Sequence, residues 1–352
     1  MDALAEDPVT MKTLHHALAM LTVVPVGLLP VIMFLLLLIY LDTYRMVRMR
    51  LVLAMLAAGG VVAVACYFLN GELMDLFGMN LTHYSRWVAP VVEETLKACV
   101  VLWLFGTHRV GFLVDSVILG FAVGAGFAVV ENFYYLYLDH NTTLTLWIVR
   151  GFGTAVMHGG VVAIFAVITQ TLAERSVDVR PIHCVPGLLA AIAVHSIFNH
   201  FYVSPVLSTV GVLLILPPLL YLLLHISENR THNWLEVDFD EDAELMRMID
   251  SGKFDRTPAG IFLSGLRDKL DGTLVADMLC YLRVYTELAL RAKGLLLARE
   301  NGLDVELDRE TREKFEELRY LEQSIGVAGR LTMRPFLQMT TKDLWQLYML
   351  GK

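Results

Sequence analysis

Between Trp87 and Phe105 the chain reads WVAPVVEETLKACVVLWLF, and Glu93, Glu94 and Lys97 ionise inside this otherwise apolar run. Equally apolar runs further along carry Glu131 beside Asn132, then His158, then His195 four residues before Asn199. Carboxylates with imidazoles form a hydrolytic inventory. A carboxylate can take a proton from water, and histidines can hold a metal or stabilise an oxyanion. An ionisable group at the centre of a membrane helix disfavours insertion by roughly 2.5–3.5 kcal/mol, so such groups must pair or line a wet cavity. Neither H-E-x-x-H nor G-x-S-x-G occurs, which excludes the soluble zincin pattern and a nucleophile-elbow serine.

The elements that must position these groups follow from length. A membrane-crossing helix needs about 20 largely apolar residues. Segments near 17–41, 51–69, 87–105, 112–138, 144–172, 182–202 and 205–226 meet that need. The fold class expected is therefore all-α, a polytopic membrane bundle of about seven spans. At 1.5 Å rise per residue, Glu93, Glu131 and His195 each fall about 10 Å below the outer end of their helices. His158 falls deeper, about 20 Å, in a run that is overlong. Helical spacing puts Glu93 with Lys97, and His195 with Asn199, on shared faces. Lys97 can neutralise one glutamate and leave the other to face the cluster, and His195 with Asn199 can address one bound group. Arg150, Thr154 and His158 follow a similar four-residue stripe, with Arg150 read as structural near the outer surface, as is Asp115 at the other end. Gly120, Gly124 and Gly126 are spaced for close helix approach.

Composition divides the chain. It is 56% hydrophobic and 18% charged, too apolar for an ordinary soluble domain. Residues 1–227 hold 10 Lys/Arg and 13 Asp/Glu, against 18 and 23 in residues 228–352. The reading is a membrane core, 1–227, followed by a helical domain, 228–352. Within that domain, an acidic entry and short helix at EVDFDEDAELMRMIDSGKF precede two amphipathic helices. Its role is open, with a cytoplasmic partner as the default. A net charge of -8 gives no nucleic-acid surface. Cys66, Cys99, Cys184 and Cys280 lack paired spacing and read as buried free thiols. Arg45, Arg48, Arg50, Arg109, Arg175 and Arg180 share one side of the bundle, against Lys12 and Arg86 on the other. The basic side is cytoplasmic by the positive-inside rule, with the N-terminus outside and the C-terminus inside.

EETLK at 93–97, FAVVEN at 127–132, His158 and HSIFN at 195–199 resemble the PrsW family of intramembrane proteases, distant relatives of the CAAX-prenyl endopeptidases. The resemblance covers about residues 85–202. It implies a multipass bacterial protease of the inner membrane that cuts a single-span substrate, such as an anti-sigma factor, near the outer face. Matched by position, Glu93, Glu94, Glu131, His158, His195 and Asn199 carry catalysis. Zinc is one possibility, held by His158 and His195 with Glu131 or a glutamate of the first motif. The other is metal-free, with Glu93 or Glu94 activating water directly while His195 and Asn199 stabilise the oxyanion. A proton-coupled transporter or a seven-helix sensor uses the same residue types.

Overall fold

Pro90, Pro181, Pro205 and Pro258 each stand in the first turn of a helix, where a missing N–H costs nothing. The computed structural model describes residues 8–43, 47–107, 109–110, 112–138, 143–173, 180–267, 270–300, 303 and 309–337. Within them the elements are α1 (Pro8–Tyr40), α2 (Met49–Phe77), α3 (Leu81–His83), α4 (Ala89–Gly106), α5 (Leu113–Leu138) and α6 (Leu144–Ile148). There follow α7 (Ala155–Ala173), α8 (Pro181–His200), α9 (Pro205–Asp250), α10 (Pro258–Leu266), α11 (Gly272–Glu300) and α12 (Arg309–Met333). Two π-turns interrupt this series, Tyr84–Val88 before α4 and Val149–Thr154 before α7. No strand occurs among the described residues. The loop arginines Arg45 and Arg175 lie outside them, and Lys12 belongs to a stretch whose side chains are not described.

Two compact units form, Met1–Asp42 with Val47–His225, and Thr43–Met46 with Ile226–Lys352. In the first, α5 is apolar all round and buried from Leu113 to Ala128, as a helix at the centre of a bundle must be. It packs on α7, α2 and α1, and α7 packs on α8. The expected glycine contacts are present. A Cβ added at Gly126 would lie 1.9 Å from the Leu56 carbonyl oxygen of α2, and one at Gly124 would lie 2.1 Å from the His158 carbonyl oxygen of α7. Only hydrogen fits at either place. Gly124 thus lets α7 approach closely enough to deliver His158. Gly124→Val is expected to abolish activity and to cost on the order of 3 kcal/mol of stability. Gly71→Ala, where nothing lies within 4 Å, should leave both unchanged or improve stability slightly. Melting in detergent alongside turnover checks the pair.

Among the described residues, six helices are long and apolar enough to cross a membrane: Val23–Tyr40, Met49–Phe77, Leu113–Leu138, Leu144–Ala173, Pro181–His200 and Pro205–Arg230. The seventh expected segment is α4, of 18 residues. It carries Glu93, Glu94 and Lys97 and falls short on charge alone. α4 nevertheless packs against α2, α5, α7 and α8, inside the same bundle. The overlong fifth run has a physical cause in the π-turn at Val149–Thr154, which joins α6 to α7.

In the second unit α11 buries Leu282, Tyr285, Leu288 and Leu295, as their spacing requires, and packs against α12. Lys293, fully buried, meets Asp242 Oδ2 at 2.7 Å. The expected break before a short acidic helix is absent, because α9 runs on to Asp250. No Gly or Pro follows Pro218 in it, and the helix stops at Gly252, which takes a left-handed φ of 71°. All four cysteines are free, but Cys99 and Cys280 are exposed, not buried as expected.

Candidate active site

α4 carries its three ionisable residues because each finds a partner on another helix. Lys97 Nζ lies 2.8 Å from Glu94 Oε1, 2.9 Å from His158 Nδ1 and 3.8 Å from the centroid of the Phe127 ring. Glu93 Oε2 is further off, at 3.9 Å. Lys97 therefore neutralises Glu94 first and leaves Glu93 to the cluster. Glu94 Oε1 also accepts from His195 Nδ1 at 2.7 Å. A carboxylate that binds Nδ1–H leaves the Nε2 lone pair of that imidazole open, the arrangement of a metal-ready or proton-accepting histidine.

α5 and α7 complete the group. Glu131 Oε2 stands 3.2 Å from His158 Nε2, yet this buried oxygen has no aligned hydrogen-bond donor. The rings of His158 and His195 meet edge to face, centroids 4.8 Å apart. Donor atoms of Glu93, His158 and His195 all lie within 4.8 Å of one another. The side chains of Glu94, Lys97, His158 and His195 are at most 3% exposed, whereas Glu93 is 13% and Glu131 25% exposed. Glu93 and Glu131 are thus the two carboxylates of the cluster that keep some exposure, although Glu131 Oε2 itself is buried.

These residues fit a divalent ion. Two imidazoles and carboxylate oxygens form the donor set that zinc prefers. Three carboxylates face two cations, Lys97 and Arg150, so the site carries a net negative charge when its imidazoles are neutral. The set gathered most tightly uses Glu93, one of the two glutamates of the first motif that the sequence offered as alternatives to Glu131. Glu131 sits beside it, one oxygen without an aligned donor.

Three residues escaped the sequence reading. Arg150, expected to be structural, lies 3.4 Å from Glu131 Oε1, donates through Nε to Asn132 Oδ1 at 3.0 Å and covers the Tyr135 ring at 3.6 Å. Its four-residue stripe with His158 was the available signal. Asn70 donates to Glu93 Oε1 at 3.2 Å and accepts from the Tyr84 hydroxyl at 2.9 Å. It lies one residue past the expected end of its span, so nothing singled it out. Tyr84 sits in a π-turn that no periodicity announces.

Asn199 is the one expected member that stands apart. Its Nδ2 donates to the Ser85 carbonyl at 2.9 Å, at the entrance of α4, and does not join His195. One helical turn separates the two side chains along α8, and the π-turn lies at Asn199's level while Glu94 lies at His195's.

Comparison with known families finds one family model, described as PrsW family intramembrane metalloprotease, that matches residues 47–223, half of the chain. No curated protein and no solved structure matches.

Proposed function

The chain belongs to the PrsW family of intramembrane proteases and is a multi-pass membrane protein; on that premise we propose that it cuts single-span, membrane-anchored substrates near the outer face by carboxylate-activated water, with zinc as cofactor. The observation that carries this is the convergence of Glu93, His158 and His195 within 4.8 Å, with Glu131 beside them. Glu93, His158 and His195 would hold the ion, which when bound polarises the scissile carbonyl and acidifies water.

Each residue of the chain then has a task. Glu94 fixes His195 through Nδ1 so that Nε2 faces the cluster. Lys97 holds Glu94 in place at 2.8 Å and keeps the doubly bound carboxylate compatible with burial. His158 offers Nε2 once its ring proton sits on Nδ1 and Lys97 bonds Glu94 alone. Glu131 is the general base: Oε2 takes the proton from water and returns it to the leaving amide nitrogen. Arg150 holds Glu131 and Asn132 in register from the second π-turn. Asn70 orients Glu93 from α2. The apolar helices around them keep bulk water from the reaction except where Glu93 and Glu131 keep some exposure.

With α4 counted among the crossing helices the number is odd, and the arginines at 45, 48, 50, 109, 175 and 180 share one side. By the positive-inside rule that pattern supports an outside N-terminus and a cytoplasmic location for residues 228–352 in a bacterial cell, where the second unit would dock a regulatory partner. The test is direct. Purified protein in liposomes should cleave a single-span peptide bearing an anti-sigma-like juxtamembrane segment, and a chelator should stop cleavage until zinc is restored. Cleavage indifferent to chelation removes the metal from the mechanism, and absence of cleavage across a panel of single-span peptides removes the substrate class.

A further inference from the structure

HSIFN supplies more than a histidine. Three contacts run from α8 to the start of α4: His195 Nδ1 to Glu94 Oε1 at 2.7 Å, Ser196 Oγ to the Arg86 carbonyl at 2.7 Å, and Asn199 Nδ2 to the Ser85 carbonyl at 2.9 Å. The two carbonyls are available for a reason written in the sequence. Residue 90 is proline and has no N–H to donate. An α-helical bond to position 90 would use the Arg86 carbonyl, four residues back. A π-type bond would use the Ser85 carbonyl, five residues back. The π-turn closes its own ladder with the Ala89 N–H on the Tyr84 carbonyl, and Pro90 is the next position in line. The missing N–H of Pro90 leaves one of these acceptors free, and the step from the five-residue spacing of the π-turn to the four-residue spacing of α4 leaves the other.

We infer that Ser196 and Asn199 are positioning residues: they dock α8 onto the carbonyls that Pro90 and the end of the π-turn leave free, and this docking sets His195 against Glu94. The inference rests on the protease reading and deepens it, giving Asn199 a part other than contact with the substrate. The π-turn followed by a proline and the serine–asparagine pair form a single device, since the first leaves the two acceptors that the second satisfies. The π-turn also widens the helix where α8 must reach its main chain. Ser196 is the neighbour of His195 in the chain, so a shift at the docking points is passed to the imidazole directly.

Hydrogen exchange of the 84–89 amides reads the docking without reference to catalysis. Exchange there should rise in Asn199→Ala and in Ser196→Ala, and it should return toward the wild-type rate in Asn199→Ala/Pro90→Ala, where residue 90 regains an N–H. In cleavage of a single-span peptide, Asn199→Asp, which puts an acceptor against a carbonyl, should lower kcat by about 100-fold with KM unchanged. Ser196→Ala/Asn199→Ala should lose no more than Asn199→Ala alone, because both side chains serve one joint. Unaltered exchange over 84–89 in Asn199→Ala overturns the inference and leaves the protease reading standing. Losses of Ser196→Ala and Asn199→Ala that simply multiply also overturn it, and assign Asn199 to the substrate. A wild-type protein that cuts nothing sinks the protease reading, and the exchange data still decide the docking.

Discussion

Glu131→Gln is expected to reduce cleavage by about 1,000-fold, within the range for loss of a general base, while zinc stays bound at the wild-type stoichiometry. Glu93→Gln is expected to reduce cleavage as far and to release the zinc. The two glutamates share partial exposure, at 25% and 13%, but not their geometry. Glu93 has a donor atom within 4.8 Å of both imidazoles and is steadied by Asn70. Glu131 stands outside that group with Oε2 free of any aligned donor. The amide replacements keep shape and remove the charge, so turnover together with elemental analysis of the purified variants separates a ligand from a base. Zinc lost from Glu131→Gln and kept by Glu93→Gln would reverse the two assignments. Full activity in either variant would end the mechanism.

Lys97→Met should be the most destabilising single change in the membrane unit. The ammonium is fully buried, bonded to Glu94 and His158, and lies over Phe127. Its removal leaves the Glu94 carboxylate buried with His195 as its remaining close donor. Breaking a buried pair by deleting one partner costs about 3–5 kcal/mol. Lys97→Met/Glu94→Gln removes the stranded charge and should recover at least half of that loss, although cleavage stays abolished because His195 has lost its orienting carboxylate. Thermal or denaturant unfolding in a fixed detergent, with a fluorescence readout, measures both. A Lys97→Met protein that melts with the wild type would mean that Glu94 is held by something other than this ammonium.

Much of this arrangement was legible before any coordinates. Alternating apolar runs gave the helices, and the shared depth of Glu93, Glu131 and His195 singled out the helices that meet. Spacing implied that Lys97 would neutralise one of the two glutamates and paired it with Glu93 on one face; the structure puts the close partner at Glu94, 2.8 Å away, and Glu93 at 3.9 Å. Carrier and sensor readings drew on the same residue types and give way to the family membership. What stayed hidden has a common physical origin. A π-turn is one extra residue in a helical repeat, and hydropathy averaged over a span does not register it. The two π-turns reset the phase of everything that follows. Arg150 therefore lies beside Glu131 although its position read as surface, and Asn199 reaches the Ser85 carbonyl although its spacing from His195 read as a shared ligand. The continuation of α9 through its acidic stretch was missed for the opposite reason. A charge run suggested a boundary, but the backbone follows breakers, and none stands between Pro218 and Gly252.

The amide of Asn132, within FAVVEN, donates to the Gly27 carbonyl of α1 at 2.8 Å, and a Cβ on Gly151 of the second π-turn would fall 1.9 Å from the Val26 carbonyl oxygen. Those carbonyls belong to a helix upstream of the stretch, 47–223, that the family shares. The matched stretch is consequently not a self-sufficient cassette: trimmed to residues 47–223, it would forfeit the anchor that immobilises Asn132, then Arg150, then Glu131. Grafting experiments that move this protease between hosts or scaffolds should carry the first helix along, and chimeras that exchange it would tune hydrolysis from outside the motifs.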